Sequence, residues 1–218
     1  MTETDQKVKE IKQSFRQMMD GQVAQSMRQK GMDYHLNWGA TLPRLREMAE
    51  EIKAHPLPQP KEGERSSNYS LAIALWKENV RECKILATML MPPDELLPEV
   101  ADIWMEQTET VEIAEQLAFN LMQNVPYAAE KAFLWISSAA DLPQICGYHI
   151  LSRLFMRKLE PNERGINEFM DQGLAALQSP TPPLRKAAMQ SIIHFADMGL
   201  MYSRIARSAT HSIGLDFL

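Results

Sequence analysis

The chain has 218 residues, of which 45% are hydrophobic, and this is enough to build a substantial core. The net charge of −5 argues against a strongly basic nucleic-acid-binding protein, although a local basic surface on an acidic protein is compatible with it. The two cysteines, Cys83 and Cys146, lack CxxC spacing, and the five histidines lack ligand spacing. We therefore predict neither a metal site nor a cofactor.

The N-terminus is polar and acidic, which is not typical of a signal peptide. No apolar run reaches the length of about 18 residues that a membrane-spanning helix needs. These two features predict a cytoplasmic protein without a membrane span.

Apolar residues recur at helical steps of three and four along the chain, and no convincing strand alternation is present. The first stripe (Val8, Ile11, Phe15, Met18) ends at Gly21, and a short second helix runs to Gly31. Thr41 is expected to cap a third helix. The segment from residue 55 to 67 contains three alternating prolines, which favour an exposed connecting loop.

Beyond this loop the helices come in pairs. Starts are predicted near Asp94, Pro126 and Pro161, which are 32 and 35 residues apart. This period is typical of helical-hairpin repeats, so we predict an all-α fold in which the hairpins stack into an α-solenoid. A closed helical bundle is the structural rival, but five successive hairpins favour the solenoid. We expect one domain over residues 1–218, with N-terminal helices in 1–54, the proline-rich loop in 55–67 and paired repeats in 68–218.

One stretch, Thr108–Glu112, combines two acids with a predicted helix start. Glu109 and Glu112 are three residues apart, so both would lie on one helix face if the helix begins at Thr108. We expect Thr108 to be the cap and Glu109 to be an acid of the first turn. A carboxylate at this place either stabilises a developing cation or interacts with the helix dipole.

Three stretches of the sequence resemble a known family. The first, Asn37–Arg46, has a glycine before a helix that begins with proline and a leucine–arginine step. The second, Ala74–Ala87, contains Leu75-Trp76 and Arg81-Glu82-Cys83-Lys84, and the third is Thr108–Glu112. Over roughly residues 35 to 200 the chain resembles the HEAT-like-repeat DNA alkylation repair glycosylases of the AlkD type. The resemblance implies HEAT-like repeats that form a curved solenoid with a concave face. It also implies cleavage of the glycosidic bond of positively charged alkylated purines.

The same resemblance assigns a catalytic position to Glu112, where the family has an essential Asp. A carboxylate stabilises the positive charge that develops on the deoxyribose, but the extra methylene of Glu displaces it by about 1 Å, a shift that can cost about a hundredfold in rate. Thr108 stands where the family has an aromatic residue, Gln190 aligns with a later aromatic, and residues 142–146 lack the expected arginine. We therefore expect glycosylase activity that is weakened or lost.

Basic residues recur in successive predicted repeats, where equivalent positions can form a track for phosphates. We predict a monomer that binds double-stranded DNA. The residues predicted to contact DNA are Trp38, Arg44, Arg81, Lys84, Arg153, Arg157, Arg185 and Lys186.

Two alternatives stay open at this point. One is an active glycosylase that uses Glu112 together with Trp38 or Trp104. The other is a protein-interaction scaffold that binds a partner through its concave face or its proline-rich loop, which the acidic composition favours. The four tryptophans lie within or beside apolar stripes, so packing is favoured over base stacking, with Trp38 as the best exception because it adjoins a glycine turn.

Overall fold

The computed structural model describes residues 2–58 and 63–218. Within these ranges the chain forms helices and no β-strand, which confirms the predicted all-α fold. The chain divides into two compact units, one that ends at Leu121 and one that begins at Met122. The single domain that the sequence predicts over residues 1–218 stays a prediction.

The first unit contains seven α-helices among its described residues. Their bounds are α1 Glu3–Gln17, α2 Gly21–Gln29, α3 Leu42–Ala54, α4 Ser67–Lys77, α5 Arg81–Leu90, α6 Pro98–Glu106 and α7 Val111–Gln116, which continues as a π-helical turn over Leu117–Leu121. Helices α4 and α5 pack as a hairpin, while α1 packs on α4 and α3 packs on α5. Three members of the predicted stripe, Val8, Ile11 and Phe15, are buried on α1, whereas Met18 is the half-buried C-cap residue.

The second unit contains five α-helices and a short 3₁₀ turn. The turn is Met122–Asn124, and the helices are α8 Ala128–Ile136, α9 Asp141–Met156, α10 Glu163–Leu177, α11 Pro182–Ala196 and α12 Leu200–Ser212. Helix α9 packs against both α8 and α11, and α10 packs against α11. Contact with α8 requires a glycine in α9, because a Cβ at Gly147 would lie 2.8 Å from the carbonyl oxygen of Ala132.

The core of the second unit is aromatic. The rings of Phe155, Phe169 and Phe195 meet pairwise at centroid distances of 5.0–5.4 Å, and Tyr202 joins Phe195 at 5.1 Å. These residues come from α9, α10, α11 and α12. Aromatic packing therefore fixes four helices of this unit to one another.

Several helix starts differ from the sequence-based expectation by a few residues. Helix α8 begins at Ala128, and Pro126 precedes it. Thr41 is the N-cap residue of α3, but its side chain makes no capping hydrogen bond. Helix α4 begins inside the predicted loop, since Ser66 caps it by accepting from the Tyr69 amide. Residues 59–62 of that loop lie outside the described part of the chain.

No helix in the described ranges combines the length and the apolar character that crossing a membrane requires.

Candidate functional site

Glu112 lies in the first turn of α7, but the helix begins later than the sequence suggested. Thr110 is the N-cap, and its hydroxyl accepts from the Ile113 amide at 3.3 Å. The prediction that Thr108 caps this helix is wrong, because the Thr108 hydroxyl instead donates to the Trp104 carbonyl at 2.8 Å. Glu109 precedes the helix and is exposed, so the two acids do not share a helix face.

The carboxylate of Glu112 forms a two-pronged ion pair with Arg81 at the start of α5. Nε of Arg81 donates to Oε2 at 2.8 Å, and a terminal guanidinium nitrogen donates to Oε1 at 2.6 Å. The Arg81 side chain is 1% exposed and that of Glu112 is 13% exposed. This parallel geometry is the strongest form of an arginine–carboxylate contact.

Tyr34 adds a third group to this pair. Its hydroxyl donates to Oε2 of Glu112 at 2.5 Å and accepts from the Thr110 hydroxyl at 3.0 Å. Sequence reasoning missed Tyr34 because it lies 78 positions before Glu112 in an irregular segment with no helical pattern. The structure thus places the ring of Tyr34 beside the acid.

The second carboxylate beside Arg81 is that of Glu82, and it holds the segment before α3. Its oxygens accept from the backbone amides of Trp38 and Ala40, each at 3.2 Å. The remaining guanidinium nitrogen of Arg81 donates to the Ala40 carbonyl at 2.8 Å. Gly39 is required between these two amides, since its φ is +78° and a Cβ there would lie 2.2 Å from the Asp20 carbonyl oxygen.

The environment keeps the ion pair charged. Burial by itself would raise the pKa of Glu112, but the hydrogen bonds and charge of Arg81, together with the Tyr34 hydrogen bond, hold it below its usual value. Burial likewise opposes the charge on Arg81, and the contacts with Glu112 and Glu82 still raise the pKa of the guanidinium. Burial and the neighbouring Glu112 charge raise the pKa of the Tyr34 phenol, so it stays protonated and acts as a donor. Glu112 is therefore an ionised carboxylate whose charge is compensated at contact distance.

Three of the residues predicted to contact DNA are buried in the first unit. All three guanidinium nitrogens of Arg81 donate to oxygens of the protein itself. Trp38 is buried and its ring packs on Phe15 at a centroid distance of 5.7 Å. Lys84 is buried, with its ammonium donating to the Gln107 carbonyl at 2.7 Å and lying over the Trp76 ring. In this structure none of the three offers a surface that a phosphate or a base can reach.

The tryptophans pack as the stripes predicted. The rings of Trp76 and Trp104 stack at 4.2 Å with an interplanar angle of 3°, and both are buried. The indole nitrogen of Trp76 donates to the Gln107 side chain at 2.8 Å. Trp104 and Trp38 are therefore core residues, and Tyr34 is the ring that lies beside Glu112.

The other predicted DNA contacts lie nearer the surface. Arg44 on α3 is exposed and pairs with Glu47 at 2.6 Å. In the second unit Lys186 is exposed, Arg153 is half-buried, and Arg185 is half-buried and donates to the Ser179 carbonyl at 2.6 Å. Arg157 is exposed and binds Gln123 and Asn124. The structure thus brings Arg153 and Lys186 onto the two packed helices α9 and α11.

A pair of histidines accompanies these cations. His149 on α9 is buried, and burial, followed by the charges of Arg153 and Lys186, lowers its pKa to about 4. Ser152 on α9 and His194 on α11 form a hydrogen bond at 2.6 Å between the hydroxyl and Nδ1. Charges from both helices therefore converge around His149.

The described ranges contain no group of three or more His, Cys, Asp or Glu side chains that could hold a metal ion.

Comparison with known proteins agrees with the resemblance seen in the motifs. A search of curated proteins gives no match. A solved structure from a new family of proteins related to the HEAT-like repeat DNA glycosylases, with affinity for branched DNA structures, aligns with a TM-score of 0.78 and 14% identity. The alignment covers 95% of this chain and 83% of that chain, and at this identity it shows a HEAT-like helical-repeat fold.

A family model described as DNA alkylation repair enzyme matches residues 11–144, which is more than half of the chain. The matched range includes Tyr34, Arg81 and Glu112. The chain therefore belongs to the DNA alkylation repair enzyme family.

Proposed function

We propose that this chain is a DNA-binding member of its family in which glycosylase activity is weakened or lost. The ion pair between Arg81 and Glu112 supports the proposed loss of activity. A carboxylate accelerates glycosidic cleavage by the field it places on a developing cation. Here a guanidinium at 2.6–2.8 Å opposes that field, and Tyr34 takes a further lone pair of the carboxylate.

DNA binding is supported by the charges of α9 and α11. These two packed helices carry Arg153, Arg185 and Lys186, and the sole carboxylate in their sequences is Asp141, which accepts from the Thr181 hydroxyl at 2.6 Å. Helix α10 has the opposite character, with three acids and one arginine. A cationic helix pair in a chain of net charge −5 is a local site for phosphates.

The structural neighbour suggests which form of DNA to test, because its family is described as having affinity for branched DNA. We expect Arg153 and Lys186 to contact phosphates of duplex or branched DNA. Arg44 is retained as a weaker candidate, since Glu47 already neutralises it. A cytoplasmic location and a monomeric state stay predictions.

Binding can be tested by fluorescence anisotropy with a linear duplex and a four-way junction at about 50 mM salt and above. Replacing both Arg153 and Lys186 by Gln is expected to weaken binding and to lower the salt slope by about 0.9 for each lost phosphate contact. Arg164→Gln, which removes an exposed cation from the acidic α10, is the matched control and is expected to bind like the wild type. Unchanged affinity and slope in the double variant would remove the DNA-binding proposal.

A second candidate is an active glycosylase, and the position of Tyr34 favours it. An aromatic ring next to an ionised acid is the combination that holds a cationic base, through cation–π attraction and charge. Trp38 and Trp104, which the sequence suggested for this part, are buried in the core. Release of alkylated base that depends on both Tyr34 and Glu112 would favour this candidate over the first.

A further inference from the structure

The second unit contains a cavity of about 330 Å³ whose lining does not include Arg153, Arg185 or Lys186. It lies between the start of α8, the second half of α9 and the segment that follows α9. The apolar side chains that line it include Ala129, Phe133, Leu151 and Leu159. Its polar rim consists of Gln123, Asn124, Arg157 and Glu160. Such a volume is at the lower end of the range for small-molecule sites.

One wall of the cavity is fixed by the way α9 ends. Lys158 has φ of +60°, its amide donates to the Phe155 carbonyl at 2.8 Å, and the Leu159 amide donates to the Leu154 carbonyl at 3.1 Å. These two bonds define a Schellman motif, in which the residue after the left-handed position faces the last turn of the helix. Leu159 is therefore held at the cavity by the backbone, yet 53% of its surface is exposed. A preformed apolar wall with uncovered surface is suited to an apolar ligand.

The rim carries a cation whose acceptors are all neutral. Arg157 donates to the Gln123 carbonyl at 3.1 Å, to the Gln123 side-chain oxygen, and to Asn124 Oδ1 at 3.1 Å. In the described part of the chain, none of these hydrogen bonds goes to a carboxylate. Burial, followed by the neighbouring Glu160 carboxylate of the same rim, raises the pKa of the Tyr202 hydroxyl. A guanidinium held by amides presents its charge to an incoming anion, and it forms stronger hydrogen bonds with a carboxylate than with neutral oxygens.

We propose that this cavity binds a small amphipathic carboxylate. The apolar part of the ligand packs against Phe133, Leu151 and Leu159, and its carboxylate accepts from Arg157. With roughly 30 Å³ for each small group, the volume holds on the order of ten non-hydrogen atoms. An arylpropanoic or medium-chain fatty acid has this size and this distribution of charge.

The test uses 3-phenylpropanoate and its neutral analogue 3-phenylpropanamide, with binding to the full chain measured by calorimetry and by NMR shift mapping at pH 7. The acid is expected to bind at least tenfold more tightly than the amide and to shift the signals of Phe133, Leu151 and Leu159. Arg157→Gln is expected to abolish this preference while retaining weak binding of both compounds. Ala129→Trp, which places a large ring in the cavity wall, is expected to abolish binding of both.

Arg204→Gln removes an exposed arginine on α12 away from the cavity and serves as the matched control. It is expected to keep the wild-type preference for the acid. Equal affinity for acid and amide, an acid preference that survives in Arg157→Gln, or an absence of binding by both compounds would overturn the proposal. Shift changes confined to residues outside the cavity would do the same, and the mapping in the wild type does not depend on the folding of any variant.

Discussion

Glu112→Gln tests whether the buried ion pair stabilises the first unit. Glutamine has nearly the same shape as glutamate, but it removes the charge and places an amide donor against the donors of Arg81 or Tyr34. Arg81 is 1% exposed, so it would keep a buried charge with Glu82 as its sole carboxylate partner in the described structure. Removing one partner of a buried pair typically costs 3–5 kcal/mol, and the remaining contact with Glu82 places our expectation at about 3 kcal/mol.

The measurement is urea unfolding at pH 7, followed by circular dichroism. The chain supplies its own control, because Arg44 and Glu47 form a pair with a similar 2.6 Å contact but side chains that are 61% and 59% exposed. Glu47→Gln is expected to change the free energy of unfolding by less than about 1 kcal/mol, since solvent screens exposed pairs. A loss below about 1 kcal/mol in Glu112→Gln, equal to that in the control, would refute the structural assignment of this pair.

Three further outcomes are expected. The difference in stability between the wild type and Glu112→Gln closes as the pH falls below about 4. A carboxyl whose pKa is lowered by folding stabilises the protein above its unfolded pKa of about 4.3, and it loses this stabilisation when it is protonated in the folded state. A difference that stays constant with pH would contradict this. Gly39→Ala lowers the free energy of unfolding by more than about 1 kcal/mol in urea titrations, owing to the positive φ and the 2.2 Å approach to the Asp20 carbonyl; wild-type stability would contradict it. Between pH 6.5 and about 4 the wild type loses on the order of 2–3 kcal/mol of stability relative to His149→Gln. In this range the histidine of the unfolded chain takes up a proton, whereas the buried His149 of the folded chain, with a pKa of about 4, does not. Parallel pH profiles of the two proteins would refute this.

The fold was predictable because each helix of a helical hairpin has its own short-range pattern in the sequence. Apolar steps of three and four, with proline and small polar residues between them, marked the helices without any knowledge of long-range contacts. The start near Thr110 was misplaced because Thr108 and Thr110 are both possible caps, and the choice depends on competing hydrogen bonds. The Thr108 hydroxyl, for example, bonds back to Trp104 and is not available as a cap. The start at Ala128 was misplaced because Pro126 lies in the turn before the helix.

The candidate site was predictable only in part. Glu112 was found from its motif, but its partners Tyr34 and Arg81 are 78 and 31 residues away, and no local pattern links them. Arg81 looked like one member of a series of surface cations, since a charged residue at a helix start is usually exposed. Its burial depends on Glu112 and the Ala40 carbonyl arriving from two other segments to join the adjacent Glu82, and that arrangement exists only in the folded chain.

The central claim is that Arg81 and Tyr34 hold Glu112, the proposed catalytic acid, in a compensated state. Its most direct test is the release of free base from duplex DNA containing N7-methylguanine, measured with the protein in excess, for the wild type and for Glu112→Ala. We expect both proteins to release base at, or close to, the rate of the protein-free control. Release by the wild type that disappears in Glu112→Ala would contradict it and would establish Glu112 as a working catalytic residue.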